Sequence, residues 1–306
     1  MAGPTTRTSL ADSVPTEYIA EVNLKVQEGP VMRNLIEVVT LPENEGSVYE
    51  ETEFTRATAY ALTEGVDMAQ AQEITDASME ITPAEIGAQV VFTDLVKRQI
   101  ARGGNVAKRM GEILGNSIIT KEDVDLLTLL DGFSVDLGSA GTTLTSGYVM
   151  AAGSAVRAGG QASGAITAGS QEPAPDPIQG VFNDNMMHNI NKQLSLGVAS
   201  ANDGVQIPGT EYSVEVLKNA AVRRIGGVDV YRDNNIGKDA NDDCIGGVFS
   251  KRALRLVRFG GGPKMEAERD PSLRATELNI WEIYGTGEWK DAWGRQMTFD
   301  GASATS

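Results

Sequence analysis

Histidine and cysteine, two residue types that often carry enzyme chemistry, each occur once in this sequence. His188 lies in a segment with helical periodicity, and a histidine base needs a nucleophile beside it. The chain offers no Gly-x-Ser-x-Gly elbow to supply one, so His188 is predicted to be structural or exposed. Cys244 follows Asp242 and Asp243, whose charges disfavour a thiolate, so a buried and unreactive thiol is expected.

Three stretches resemble ligand loops only in composition. Residues 260–265, Gly-Gly-Gly-Pro-Lys-Met, lack the spacing of a phosphate-binding loop, because Pro263 precedes the lysine and Met265 follows it. Residues 233–237 and 239–243 are rich in Asp and Asn but do not fit the twelve-residue calcium loop, which leaves a weak adventitious cation site as the alternative. The sequence therefore predicts no cofactor-binding residue and no metal ligand.

Carboxylates are the remaining candidates for chemistry. Glu50, Glu51 and Glu53 lie in an alternating segment with mixed faces and not in an apolar pocket, so general acid–base catalysis is not supported. No catalytic residue is predicted, and a structural role is favoured over an enzyme. Phe54 and Arg56 continue the same segment, and these five residues are predicted to contact another subunit.

The five residues belong to an extended excursion predicted over residues 35–80. A β-rich run over 35–40 and a second run over 48–62 flank a turn signal at 42–46. Residues 1–34 are predicted to form an arm that has too few apolar residues to fold alone. Both segments therefore need another surface on which to lie.

A strand and a long helix are predicted to follow the excursion. Residues 81–92 are β-rich, and a short helix is predicted over 95–102. The periodicity over 105–130 predicts a long helix with Asn105 as its N-cap and a restart, with a bend, at Thr120. Because all three tryptophans lie in the last 26 residues, the main core is expected where this helix meets the C-terminal strands.

The rest of the chain alternates loops of small residues with further elements, and no internal repeat is present. Residues 138–172 are especially rich in Gly, Ala, Ser and Thr, so the uncharged run over 137–156 is too weakly apolar for a membrane helix. The predicted elements are helices over 148–158, 183–196, 214–222 and 249–257, strands over 228–231 and 275–284, and a hairpin over 289–299.

The charge balance is strongly acidic and uneven. The chain has 42 acidic and 26 basic residues, and the first 90 residues hold 16 of the acids and 4 of the bases. A pI near 4.5 argues against a nucleic-acid-binding surface over the whole molecule but leaves a local basic patch open. Acidic N-terminal segments that lie on basic parts of a neighbouring copy would explain the asymmetry. A solvated acidic surface is the alternative.

Several stretches occur in an order that matches one family of shell proteins. They are 62–65 with 86–94 (Ile-Gly-Ala-Gln-Val-Val-Phe-Thr-Asp), the helix 105–130, and the segments 226–234, 247–254 and 274–285. In this order the chain resembles the major capsid proteins of tailed bacteriophages, which have the Hong-Kong-ninety-seven-type fold. The stretches resemble, in turn, an extended loop that returns into a peripheral strand, a spine helix, a strand leaving an inserted domain, a re-entry, and a closing strand.

The resemblance implies an α+β fold and a set of boundaries. They are an N-terminal arm (1–34), an extended loop (35–80), a peripheral domain with a long spine helix (81–135), an inserted axial domain (136–244) and the rest of the peripheral domain (245–306). It also implies a subunit that assembles as hexamers and pentamers into an icosahedral head enclosing DNA, without sequence-specific binding, cofactor or membrane. Portal, scaffolding or decoration proteins are expected as partners, with assembly in the host cytoplasm and a final place in the virion.

One departure from the family pattern stands out. No lysine lies between Lys25 and Lys97, so the extended loop cannot supply the lysine for the isopeptide cross-link that some relatives make. Two other functions stay open from the sequence: an encapsulin-like nanocompartment shell of the same fold, and a hydrolase that uses exposed carboxylates.

Overall fold

The computed structural model describes residues 29–42, 47–65, 67, 71–99, 106–159, 172–195, 224–260 and 262–303. The first 28 residues of the predicted arm, the N-cap Asn105 and the helix predicted over 214–222 lie outside these residues. Within them, the strands form two five-stranded sheets and one two-stranded hairpin, with helices packed against the sheets.

The first sheet, here called the peripheral sheet, is organised around one long strand. It contains β1 (Glu37–Leu41), β4 (Ala84–Thr93), β9 (Leu254–Phe259), β10 (Lys264–Asp270) and β11 (Ala275–Glu288). β11 pairs antiparallel with β4 along one side and with β10 and then β9 along the other, while β1 pairs in parallel with β9. The strand predicted over 275–284 is confirmed as β11 and extends further.

The predicted long helix is confirmed as α3 (Val106–Thr128), which packs against β4 and β11. Its first half buries a small apolar cluster made of Phe92, Leu114, Ile118, Leu278 and Ile280. The restart predicted at Thr120 is wrong, because the helix continues through this residue and then tightens into a 3-10 turn (Leu129–Gly132). The acidic residues after Thr120 that suggested a new N-terminus instead form tertiary contacts.

The second sheet holds the main core. It runs in the order β12 (Gly294–Asp300), β8 (Asp243–Ser250), β5 (Ile178–Phe182), β7 (Val228–Arg232) and β6 (Arg224–Ile225). Every residue of β5 is buried, and the helices α4 (Ser146–Arg157) and α5 (Asp184–Ser195) contribute apolar side chains to the same core. Both helices and β7 are where the sequence predicted them.

The helix predicted over 249–257 is wrong. Residues there form the end of β8, a turn over 251–253 and the start of β9, so the chain passes from the second sheet into the peripheral sheet. Buried residues fill both faces of the two strands, and this continuous pattern resembles a helical one over a short window. The hairpin predicted over 289–299 is also wrong, because β12 pairs with β8 and not with β11.

The main core does include the end of α3 and the C-terminal strands β8, β9 and β12, as expected, but the tryptophans do not form its buried centre. All three tryptophans are only half-buried, and each lies beneath a cation. The pairs are Arg255 over Trp289 at 5.7 Å, Lys264 over Trp281 at 5.1 Å and Lys290 over Trp293 at 4.8 Å from the ring centre. Part of the C-terminal chain belongs to the main core instead, because β8 crosses the boundary predicted at residue 244 and β12 joins the same sheet.

The two-stranded hairpin is separate from both sheets. It consists of β2 (Tyr49–Phe54) and β3 (Asp76–Ile81), which pair antiparallel from Tyr49 with Ile81 to Phe54 with Asp76. The run over 35–40 is not part of it, because β1 lies in the peripheral sheet and follows a short helix, α1 (Met32–Leu35). The alternating strand predicted over 48–62 ends at Phe54. The short helix predicted after Thr93 is confirmed as α2 (Asp94–Gln99).

Candidate inter-subunit surface

The base of the hairpin crosses β11 at two glycines. A Cβ on Gly285 would lie 2.7 Å from Cγ2 of Ile81, and one on Gly287 would lie 2.8 Å from Cδ1 of the same side chain. Real Cβ atoms do not approach other atoms this closely, so the two glycines make room for the buried Ile81. Gly285 and Gly287 therefore set the place at which the hairpin leaves the sheet.

Arg255 holds the middle of β2 to the peripheral sheet. Its side chain is 4% exposed, and its guanidinium lies 2.8 Å from Glu37 and 3.2 Å from Glu51. The group donates hydrogen bonds to both carboxylate oxygens of Glu51 and stacks over Trp289. Because the arginine is buried between two acids, it is a stronger link than an exposed ion pair.

Lys290 holds the outer end of β2 in the same way. Its Nζ lies 2.6 Å from Oε1 of Glu53 and 2.6 Å from Oε2 of Glu172, and it stacks over Trp293. Burial lowers the pKa of Lys290, but the hydrogen bonds to these two carboxylates outweigh burial and raise that pKa overall. The hairpin base therefore depends on two cations, each shared between the hairpin and another segment of the same chain.

The outer part of the hairpin beyond Phe54 carries exposed apolar side chains. Its two legs stay paired as far as Thr58 and Gln72, since the Thr58 N–H donates to Oε1 of Gln72 at 2.8 Å. Four large apolar side chains are more than half exposed, and these are Phe54 (69%), Tyr60 (52%), Leu62 (67%) and Ile74 (61%). Exposed apolar groups concentrated on one projection are typical of an interaction surface.

This outer hairpin is also acidic. Residues 54–76 contain four acids and a single base, and these are Glu64, Asp67, Glu73, Asp76 and Arg56. A surface that receives the hairpin by charge complementarity must therefore be basic, with apolar side chains among its cations.

The far end of the peripheral sheet has these properties. The turn after β10 and the start of α2 line a concave depression with a volume of about 750 Å³. Within it, Leu95 is 56% exposed and Leu273 is 49% exposed. Arg269 makes a two-point ion pair with Asp94 there, at 3.0 and 2.8 Å. The surface, here called the basic notch, is lined by Thr93, Asp94, Leu95, Arg98, Arg269, Pro271, Leu273 and Arg274.

The five residues predicted to contact another subunit are not equivalent in the structure. Glu50, Phe54 and Arg56 are exposed, whereas Glu51 and Glu53 are half-buried and paired within the chain. Contact of any of them with another subunit stays a prediction. Their internal partners Arg255 and Lys290 lie some 200 residues away along the chain, so no local sequence signal could have identified the pairs.

Asp123 on α3 fixes the root of the N-terminal segment. Its Oδ1 accepts hydrogen bonds from the backbone N–H groups of Val31 and Met32, both at 2.9 Å. Its Oδ2 accepts a hydrogen bond from Nδ2 of Asn235 at 2.8 Å. One fully buried carboxylate therefore joins the entry of the N-terminal segment, the long helix and the loop after β7.

The residues considered for chemistry do not form a reactive site. Cys244 is fully buried, and burial raises the pKa of its thiol, as the sequence predicts. In the loop over 239–243, Oδ1 of Asp239 accepts the backbone N–H groups of Asn241 and Asp243, so this carboxylate closes a turn. Over the described ranges, no group of His, Cys, Asp and Glu is placed to hold a metal ion. The helices in these ranges are also too short or too polar to cross a membrane.

Comparisons with known proteins identify the fold. No protein-family model and no curated protein matches the sequence. Among solved structures, the capsid of cyanophage P-SCSP1u has 13% identity and a TM-score of 0.68, covering 97% of this chain and 96% of that chain. The acid-stable capsid of Helicobacter pylori bacteriophage KHP30 has 10% identity and a TM-score of 0.69, with coverages of 97% and 98%. A structure from Mycobacterium phage Che8 has 15% identity and a TM-score of 0.67, with coverages of 95% and 98%.

These likenesses extend over nearly the whole chain and establish the fold. The chain has the Hong-Kong-ninety-seven-type fold of tailed-phage capsid proteins, an α+β fold, as the resemblance implied. The division into arm, extended loop, peripheral domain and axial domain stays a prediction.

Proposed function

We propose that this chain is a major capsid protein, a structural subunit that self-assembles into an icosahedral head shell enclosing DNA. One observation supports the proposal above the others. The hairpin is fixed to the rest of the subunit at its base by Arg255 and Lys290, and it carries exposed apolar side chains at its outer end. A two-stranded ribbon of this kind is marginal by itself, so a neighbouring subunit that covers it would supply the missing burial.

The contact is directed by charge. The acidic outer hairpin of one subunit fits the basic notch of another, because both surfaces carry exposed apolar side chains and the net charges of the two surfaces are opposite. Glu50 and Phe54 would lie in this contact, whereas Glu51 and Glu53 keep their internal partners. The subunits would form hexamers and pentamers, and the closed shell would be the virion head.

Further partners follow from the proposed role. A portal protein, a scaffolding protein or a decoration protein would act with the subunit during assembly in the host cytoplasm. The enclosed DNA would be held without sequence readout, since the chain carries a formal net charge of −16. Among the described residues, no feature favours a nanocompartment shell or a hydrolase.

The experiment compares the parent chain with a variant whose hairpin is shortened. The Thr55 N–H donates to the Thr75 carbonyl oxygen at 2.9 Å, so residues 56–74 can be replaced by a short Gly-Asn-Gly turn without separating the legs. We expect the parent to form closed particles in sedimentation and negative-stain images. The shortened variant should stay as small species with the melting temperature of the unassembled parent subunit.

Two outcomes would contradict the proposal. A parent chain that stays monomeric at every concentration, with its hairpin protected from protease, has no need of a neighbour. A shortened variant that assembles like the parent shows that the outer hairpin is not the contact.

A further inference from the structure

Three charged side chains are buried where α3 crosses the peripheral sheet. Glu122 of α3, Arg258 of β9 and Glu282 of β11 have side chains that are 3%, 5% and 0% exposed. Nη2 of Arg258 lies 2.9 Å from Oε1 of Glu282 and also contacts Oε2 of Glu122. One guanidinium is therefore shared between two buried carboxyl groups.

The two carboxyl groups do not have equal access to positive charge. Glu122 has a second cation, since Nε of Arg33 on α1 lies 3.9 Å from its Oε1, and that arginine is 43% exposed. Glu282 has a close contact only with Arg258 among the described residues. The nearby Tyr284 donates a hydrogen bond to Oδ2 of Asp125 at 2.9 Å and brings no positive charge.

The cluster is also short of hydrogen bonds. In the described part of the chain, neither carboxyl oxygen of Glu282 has an aligned hydrogen-bond donor, and Nε of Arg258 has no acceptor. An ionised carboxylate buried with one cation contact and no aligned hydrogen-bond donor is expensive, because that contact alone does not replace the water it has lost. A bound proton removes most of this cost by removing the charge.

We propose that the buried Glu282 carboxyl group holds a proton in the folded subunit, and that this neutral group beside Arg258 and Glu122 is a latch holding α3 on the peripheral sheet. The groups that face it are Arg258 from β9, Arg33 from α1, Asp125 with Lys121 from α3, and Tyr284 from β11. When the proton leaves, two carboxylates share one buried guanidinium, and their repulsion loosens the helix from β9 and β11.

The direction of the pH dependence follows from burial. Burial raises the pKa of Glu282 above the ordinary value of 4.5; Arg258 opposes the rise and the charge of Glu122 adds to it. Because the folded state holds the proton more tightly than the unfolded chain, the latch contributes fully below the ordinary value. Its contribution is lost as the pH rises through the raised pKa.

A second carboxyl group, Glu288, has a pKa that burial raises to about 7, so the test uses a background in which Glu288 is replaced by glutamine. Glu282→Gln supplies a permanent neutral isostere, and Glu266→Gln on the exposed strand β10 is the matched control. Melting temperature and hydrogen exchange of the α3 amides are measured from about pH 5 to about pH 9. We expect the background and the control to lose about 4 °C over this range, with faster α3 exchange at high pH.

The Glu282→Gln variant should show neither trend. Glu122→Gln is the second variant, because it neutralises the other member of the pair and should flatten the profile in the same way. A Glu282→Gln profile that falls like the background would overturn the proposal. Failure of both variants to fold at any pH would overturn it as well, since an ionised pair would then be required.

Discussion

Glu288 and Asp291 are two carboxyl groups that meet where β11 ends. Asp291 accepts hydrogen bonds from the backbone N–H and the hydroxyl of Ser134, at 2.7 and 2.5 Å. Burial, followed by the charge and the hydrogen bond of Asp291, raises the pKa of Glu288 to about 7. A carboxyl group with this pKa is partly protonated at neutral pH, and its protonated form donates a hydrogen bond to Asp291.

Replacing Glu288 by glutamine should remove a pH dependence of the subunit's stability. The folded pKa lies above the ordinary value of 4.5, so the contribution of this group to stability is fully present below that value and is lost as the pH rises through about 7. The loss should be about 2 kcal/mol after allowance for solvent screening at this half-buried site. Chemical denaturation at several pH values measures it, and an unchanged profile in Glu288→Gln would show that the carboxyl pair is not coupled to folding.

At the scale of elements, the hairpin base depends on two shared cations and on the buried side chain of Ile81. Lys290 bridges Glu53 of the hairpin and Glu172 of the segment before β5, so it couples the hairpin to the second sheet as well as to β11. Removing the amine leaves two acids facing each other without a cation.

The change Lys290→Met should therefore loosen the hairpin while the sheets stay folded. Amides of β3 should exchange about tenfold faster, because the link is worth about 1.4 kcal/mol, and the melting temperature should change little. Lys251→Met, at an exposed turn, is the control and should leave β3 exchange unchanged. Equal exchange in both variants would mean that the cation does not hold the hairpin.

Local sequence patterns predict the elements whose formation depends on residues that are close together along the chain. The periodicity of α3, the small residues of α4 and the apolar strand β11 were all placed from sequence, and so was the order of parts that identified the fold. The passage from β8 to β9 was not, because Phe249, Ala253 and Val257 recur at the i+4 spacing of a helix while each is buried in these strands or in the turn between them. Arg255 and Arg258 resemble the solvated face of that helix, yet both are buried against acids from distant segments.

The candidate surface was predicted less completely than the fold. Alternation identified Glu50, Glu51 and Glu53 as one acidic strand, and alternation alone cannot tell which side faces the subunit. Pairing with residues of β9 and of the segment after β11 decides this, since it turns Glu51 and Glu53 inward. Reversing all three charges would therefore damage the hairpin base, so a test of assembly must use residues that point outward.

At the scale of the whole molecule, Phe54 is the outward residue that best separates folding from assembly. Phe54→Ser should leave the free energy of unfolding of the unassembled subunit within about 0.5 kcal/mol of the parent's, because the side chain is 69% exposed. Particle yield should fall at least about tenfold, since loss of an aromatic anchor costs about 2 kcal/mol at each contact.

Tyr231→Ser makes a comparable change on the second sheet, where the side chain is 38% exposed, and serves as the control. Sedimentation measures the particles and circular dichroism the fold. If Phe54→Ser assembles like the parent, the outer hairpin does not carry the contact.

The pairing of β1 with β9 has a consequence for how the chain is made. Thr40 lies beside Arg258, and Phe92 of β4 lies beside Thr276 of β11, so the peripheral sheet joins segments that leave the ribosome far apart in time. Contacts of such high sequence separation form slowly. During synthesis α3 has no complete sheet to pack against, and the nascent chain exposes Leu114 and Ile118 until β11 emerges. A subunit therefore becomes competent to join others only after β11 has emerged and completed the sheet, which keeps chains that lack β11 out of growing particles.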